Sequence, residues 1–210
     1  MNALTKYFET YTSDEGRLTY KVKSYARVYA QWLERFRGTE VTLAEVGIGK
    51  GGCLQMWRSY LGPLARIYGI DHDDQLCYTE PQIECICGDQ GDPAFLARLP
   101  SLLPSLDIFV DDGSHVNTQQ VATLEAIFPI LKPGGLYFCE DTHTSYREQH
   151  YGGGYLHDNT FIEYCKRIPD AMHHTEDTRI PTTSVTQHLE SASFYPGLVV
   201  LQKEGGMAYA

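Results

Sequence analysis

Short apolar runs alternate along this chain with longer segments of helical periodicity, and that alternation limits the fold more than any other feature. Residues 21–37 read as an amphipathic helix, with Val22, Tyr25, Tyr29, Trp32 and Phe36 at helical spacing. Strands are expected at 41–46, 66–70, 83–86, 106–110 and 136–139, and helices at 52–61 and 116–131. The turn Lys132-Pro133-Gly134-Gly135 is expected to stop the second of these helices. Apolar strands separated by helices pack as a parallel sheet covered on both faces. Near the end the rhythm breaks: 191–195 and 198–202 flank Pro196-Gly197, which predicts an antiparallel hairpin. The expected fold is therefore an α/β, Rossmann-like, doubly wound sheet of seven strands, mostly parallel with a C-terminal antiparallel hairpin.

A chain of 210 residues suits one domain with a full core, 1–210, opened by an N-terminal helical segment at 1–38. Residues 146–190 are rich in Gly, His, Thr and Asp, with one helix expected near 159–167. That stretch is too long for a plain connection, so it reads as a cover inserted over a substrate site. The net charge of −10, with no Lys/Arg cluster, argues against nucleic acid as a partner. No apolar run approaches the roughly 18–20 residues of a membrane span, and the polar stretch 1–14 lacks the apolar core of a signal peptide. The six cysteines form no C-x-x-C pair and read as reduced core residues of a cytoplasmic protein.

Glu45-Val46-Gly47-Ile48-Gly49-Lys50-Gly51-Gly52 joins the first strand to the first helix. Glycines there let the backbone turn tightly and come close to a ligand. Asp71 closes the second strand, where an acid can accept both hydroxyls of a ribose. Loop and acid suit NAD and S-adenosylmethionine equally. Three features favour the sulfonium cofactor: Glu45 can attract a methionine ammonium, Asp89 after strand three can meet an adenine amino group, and a C-terminal antiparallel hairpin is typical of methyltransferase sheets and not of dehydrogenases.

Strand four runs into Asp111-Asp112-Gly113-Ser114-His115, and strand five into Cys139-Glu140-Asp141-Thr142-His143. Neighbouring strands lie about 4.8 Å apart, so Asp112, Glu140 and Asp141 are expected to converge. Such acids repel one another unless a cation sits among them, and oxygen ligands favour Mg2+ or another hard dication such as Mn2+. Without a cation they would be solvated loop acids or helix caps. His115, three residues past Asp112, is placed to take a proton from a metal-activated hydroxyl.

The glycine loop, Asp-Asp-Gly-Ser-His, Lys-Pro-Gly-Gly, Glu-Asp-Thr-His-Thr-Ser-Tyr and Tyr151-Gly152-Gly153-Gly154 together resemble the metal-dependent sugar O-methyltransferases. This group takes in the mycinamicin-type macrolide enzymes and small mycobacterial enzymes that methylate methylmannose oligosaccharides. The resemblance spans about residues 40–203, and its second half is the specific part. It implies an S-adenosylmethionine- and Mg2+-dependent O-methyltransferase acting on a saccharide or glycoside. It also implies Asp112, Glu140 and Asp141 as metal ligands and His115 as general base. The candidate cofactor residues are Glu45, Gly47, Gly49, Gly51, Asp71, His72, Asp89, Gln90 and Asp111, and His143, Tyr146, Tyr151 and Gly153 are candidates for bordering the acceptor. The 25 residues from His115 to Glu140 match the spacing of base and second metal ligand in catechol methyltransferases, whose base is lysine. The chain is expected to depart from the large macrolide enzymes by lacking their N-terminal domain. A homodimer is the expected assembly. The rival readings are a catechol-type O-methyltransferase, an NAD-dependent oxidoreductase and a non-catalytic binding module.

Overall fold

The computed structural model describes residues 3–10, 19 and 21–205. They separate into two compact units, Met1–Asp89 and Gln90–Ala210.

In the first unit α1 spans Ala3–Thr10, and α2 spans Tyr25–Leu33 before a 3₁₀ turn at Glu34–Phe36. The remaining elements are β1 at Thr42–Val46, α3 at Gly52–Leu61, β2 at Arg66–Asp71, β3 at Thr79–Glu80 and β4 at Ile83–Cys87. Their order is β3-β4-β2-β1, with β1–β2 and β2–β4 parallel and β3–β4 antiparallel. Helix α2 is shorter than the periodicity of 21–37 predicts. Its buried stripe is Tyr25, Ala26, Val28, Tyr29 and Leu33, while Val22 is exposed and Phe36 falls in the 3₁₀ turn. Helix α3 has the bounds expected from sequence.

In the second unit α4 spans Pro93–Leu102, β5 Leu106–Asp111 and α5 Asn117–Ile127, followed by a 3₁₀ turn at Phe128–Ile130. Strand β6 runs over Leu131–Glu140, then come α6 at Phe161–Lys166, α7 at Ile168–Ala171, β7 at Leu189–Tyr195 and β8 at Leu198–Lys203. The order is β5-β6-β8-β7, with β5–β6 parallel and the hairpin antiparallel. The described residues thus form eight strands, not seven; the two-residue β3 is too short to leave a periodic signal.

Lys132-Pro133-Gly134-Gly135 is also not the break between α5 and the next strand that was expected. Leu131 already pairs with Leu106, and Leu136 with Ile108, so β6 advances five residues while β5 advances two. The turn is a bulge inside β6. It is held by Gly134 N donating to Glu204 O at 3.0 Å and by Lys132 Nζ to Asp107 Oδ2 at 2.8 Å. Helix α6 begins two residues later than expected because Thr160 caps it, its Oγ1 accepting from Glu163 N at 3.2 Å.

Cys53, Cys139 and Cys165 are buried, as expected of core thiols, but Cys77 and Cys85 are half-buried and Cys87 is exposed. Among the described residues no helix is long and apolar enough to cross a membrane.

Candidate active site

The glycine loop that follows β1 needs a left-handed backbone at Gly47, Gly49 and Gly51, with φ of 85°, 49° and 79°. Asp71 ends β2 and holds that loop: its Oδ2 accepts from Ile48 N at 3.1 Å, and its Oδ1 from Asp73 N at 3.1 Å. His72 Nδ1 lies 3.2 Å from Asp71 Oδ1, with its own side chain largely exposed. Asp89 is exposed beyond Gly88, whose N–H donates to Asp71 O at 2.8 Å.

Glu45 has two partners within the first unit. Its Oε1 meets Lys21 Nζ at 2.6 Å with both side chains fully buried, and its Oε2 accepts from Trp57 Nε1 at 2.9 Å. The Lys21 ammonium also lies 5.7 Å from the Trp57 ring centre and 5.9 Å from that of Tyr29. A carboxylate with no water around it is stable only when paired in this way.

In the second unit the β5–β6 register pairs Asp111 with Cys139, which carries Asp112 and Glu140 side by side off the strand tips. Asp112, His115 and Asp141 offer ligand atoms all within 4.8 Å of one another, and Asp112 also comes within 4.8 Å of Glu140. His115 Nε2 lies 3.6 Å from Asp141 Oδ2, and their side chains are 23% and 25% exposed. His115 Nδ1 is buried without a hydrogen-bond partner. Both residues sit in the left-handed region, at φ of 58° and 52°. Such positions cost about 1–3 kcal/mol each and cluster at functional sites. His143 Nδ1 is 3.9 Å from Asp141 Oδ1. The donor set, mostly carboxylate oxygen with one imidazole, fits a hard divalent cation.

Asp111 and Gln90 are committed to each other. Gln90 Nε2 donates to Asp111 Oδ1 at 3.2 Å and to Thr123 Oγ1 at 3.0 Å, while its Oε1 accepts from Ser114 N at 2.6 Å. Tyr137 Oη donates to Asp111 Oδ2 at 3.0 Å. Complete burial pushes the Asp111 carboxyl up to about 6, against the hydrogen bonds from Gln90, Tyr137 and Gly113. Burial likewise raises the Tyr137 phenol well above its ordinary range. These groups brace the loop that carries Asp112 and His115.

Of the four acceptor candidates, His143 and Tyr146 line a cavity of about 510 Å³, and Tyr151 and Gly153 are not among its lining residues. Gly153 is buried against backbone: a Cβ there would lie 2.3 Å from Thr144 O and 2.6 Å from Arg147 O. Tyr151 contributes its carbonyl, which accepts from Asn117 N at 3.0 Å and Asn117 Nδ2 at 2.9 Å.

No protein-family model matches the chain. It is 34% identical, over 90% of its length and 52% of the relative's, to the 8-demethyl-8-alpha-L-rhamnosyl tetracenomycin-C 2'-O-methyltransferase of Streptomyces olivaceus. It is 32% identical over 85% of its length to the demethylmacrocin O-methyltransferase of Streptomyces fradiae, covering 49% of that enzyme. The crystal structure of MycE, the methyltransferase of the mycinamycin pathway, in complex with Mg and SAH superposes with a TM-score of 0.81 at 29% identity, covering 96% of this chain and 53% of MycE. The chain is a relative of the sugar O-methyltransferases. It spans about half the length of the curated relatives it matches.

In this sugar O-methyltransferase relative, sequence reading missed three buried polar residues. Lys21 supplies the cation for Glu45. Asn117, fully buried at the start of α5, accepts from Ser145 Oγ at 2.7 Å and Phe161 N at 2.9 Å, tying residues 144–161 to the loop that carries His115. Gln120 Nε2 donates to Glu140 O at 3.1 Å. A polar residue in the first turn of a helix reads as solvated, so no periodic signal marks Asn117 or Gln120, and Lys21 lies before α2 with no periodic pattern to mark it.

Proposed function

We propose that this chain is an S-adenosylmethionine- and Mg2+-dependent O-methyltransferase acting on a hydroxyl of a sugar or a glycosylated small molecule. The observation that carries the reading is the gathering of Asp112, His115 and Asp141 within 4.8 Å beyond two paired strand tips. The sequence identity to sugar O-methyltransferases supports it, as does the likeness to MycE, another crystal of which holds Mg, SAH and Mycinamycin VI.

Asp112, Glu140 and Asp141 would hold the cation, which when bound supplies charge stabilisation to the oxygen losing its proton. Gly47, Gly49, Gly51, Asp71, His72 and Asp89 would hold the methyl donor. His115 takes the acceptor proton at Nε2, which lies 3.6 Å from the Asp141 carboxylate. Asp111 and Gln90 keep the loop under Asp112 in place through Ser114 N and Tyr137 Oη. Glu45 is held by Lys21 and Trp57, which fixes the end of β1.

We further take residues 1–210 as one catalytic domain with 146–190 as the acceptor's cover, in a cytoplasmic homodimer that binds neither nucleic acid nor membrane. The net charge of −10 and buried thiols such as Cys139 and Cys165 support the last points. The test is transfer of labelled methyl from the sulfonium donor to a panel of glycosides and catechols with MgCl2. Transfer to glycosides, lost in EDTA and restored by Mg2+, is expected. Full activity in excess EDTA, or transfer to catechols alone, overturns the reading.

A further inference from the structure

Three of the six cysteines, Cys77, Cys85 and Cys87, stand together in the first unit, and the proposed chemistry uses none of them. Cys85 and Cys87 are two residues apart on β4, so their side chains leave the same face of the sheet. That face meets the glycine loop: a Cβ on Gly69, the register partner of Cys85, would lie 3.0 Å from both Cys85 Sγ and Ile48 Cγ2. Cys87 pairs in register with Asp71, the residue that holds Ile48 N. Cys77 joins them from the loop between β2 and β3, next to Tyr78, whose carbonyl accepts from Cys85 N at 3.0 Å. Cys77 Sγ lies 3.7 Å from Asp73 O and Cys87 Sγ 3.8 Å from His72 O. The two thiols are within hydrogen-bond reach of each other.

This pair is unequal in the way that thiol–disulfide exchange needs. Cys87 is exposed and Cys77 is half-buried. Burial, with Cys85, Cys87 and Asp71 nearby, pushes the Cys77 thiol up to about 11. Cys87 is therefore the thiol that meets an oxidant, and Cys77 the one that resolves the product. Tyr78 carries the consequence to the glycine loop. Its hydroxyl donates to Gly51 O at 3.2 Å, and a Cβ on Gly51 would come within 2.7 Å of its ring. A disulfide brings its sulfurs to about 2.05 Å, so forming one moves Cys77 towards β4 and strains the seat of Tyr78.

We propose that Cys77 and Cys87 form a reversible disulfide with a small-molecule disulfide as oxidant, and that the bond draws Tyr78 off Gly51 and weakens donor binding. The effect on binding rests on the donor site proposed above. Cys87 Sγ, as thiolate, attacks one sulfur of the oxidant and expels a thiolate. Cys77 Sγ then loses its proton, attacks Cys87 Sγ and expels the second. Two protein thiols are oxidised, one external disulfide is reduced to two thiols, and these take up the two protons.

The test treats the protein with glutathione disulfide, alkylates it and cuts it with a glutamate-specific protease, which separates Cys77 from Cys87 at Glu80 and Glu84. Mass spectrometry should find the two peptides joined in wild type and in Cys85→Ala, separate in Cys87→Ser, and released by dithiothreitol. Oxidation should speed amide exchange at residues 47–52 by about fivefold or more and weaken S-adenosylhomocysteine binding in calorimetry by about tenfold. Cys87→Ser should show neither change. Peptides that stay separate in wild type overturn the proposal, as does joining that needs Cys85 in place of Cys87. A bond that leaves both exchange and binding unchanged overturns it too. Joined peptides and faster exchange in a protein that binds no S-adenosylhomocysteine even when reduced sink the donor site and leave the disulfide standing.

Discussion

Glu45 and Asp141 are both acids at the carboxyl ends of strands, yet the chain treats them in opposite ways. Glu45 is sealed: Lys21 and Trp57 occupy its two oxygens, and neither side chain of the ion pair reaches solvent. Asp141 is a quarter exposed, faces imidazoles at 3.6 Å and 3.9 Å, and stands within ligand distance of Asp112. The first arrangement neutralises a charge permanently with a lysine supplied by the chain. The second leaves acids beside two imidazoles, in a geometry that an external cation can complete. The contrast is between an acid paired inside the fold and an acid that faces imidazoles at a partly open site.

If that contrast is right, changes at the two places should register in different measurements. The largest effect is expected from His115→Ala, which should lower the rate of methyl transfer by about 10²–10⁴ while the urea midpoint stays near wild type; a variant that merely unfolds would erase the distinction. Lys21→Met removes the ammonium paired with a fully buried carboxylate, and about 3–5 kcal/mol of stability should be lost in urea titrations. A loss under 1 kcal/mol would mean that Glu45 finds other partners.

Asp111 gives a third, pH-dependent test. Its folded-state value, about 6, lies above the ordinary 3.8, so the native state holds an extra proton between those pH values. The stability it contributes is complete below about pH 4 and is lost as the pH rises through 6, a change of about 3 kcal/mol. Asp111→Asn should flatten that slope in urea midpoints taken from pH 4.5 to 7 in EDTA. The smallest effect is expected from Mg2+ itself. At a hundred times its dissociation constant it should raise stability by about 2.7 kcal/mol, and Asp112→Asn or Asp141→Asn should abolish the rise. A rise that survives both substitutions would place the cation elsewhere.

The strands and α3 were legible because apolar runs closed by glycine or acid leave little choice of structure. The convergence of Asp112 and Glu140 was legible for a similar reason, since parallel neighbours put their strand tips side by side. What could not be read were partnerships between distant polar residues. Nothing in the spacing of Lys21 and Glu45 announces an ion pair, and Asn117 looks like any polar residue at a helix start until Ser145 and Phe161 close on it. The bulge in β6 was hidden because its Pro-Gly-Gly has the chemistry of a stop signal, and only pairing with β5 on both sides of it reveals the strand. Gln90 shows the same limit. Its position after β4 was readable, but the bonds of its amide to Asp111, Thr123 and Ser114 were not.

Trp57 carries a practical consequence. It is one of two tryptophans in the sequence, is fully buried, and has a carboxylate on its N–H and an ammonium near its ring. Indole emission shifts with the electric field across the ring. The chain therefore contains its own dye for the seating of Lys21, and a spectrum of the unlabelled protein would report when that lysine leaves its place.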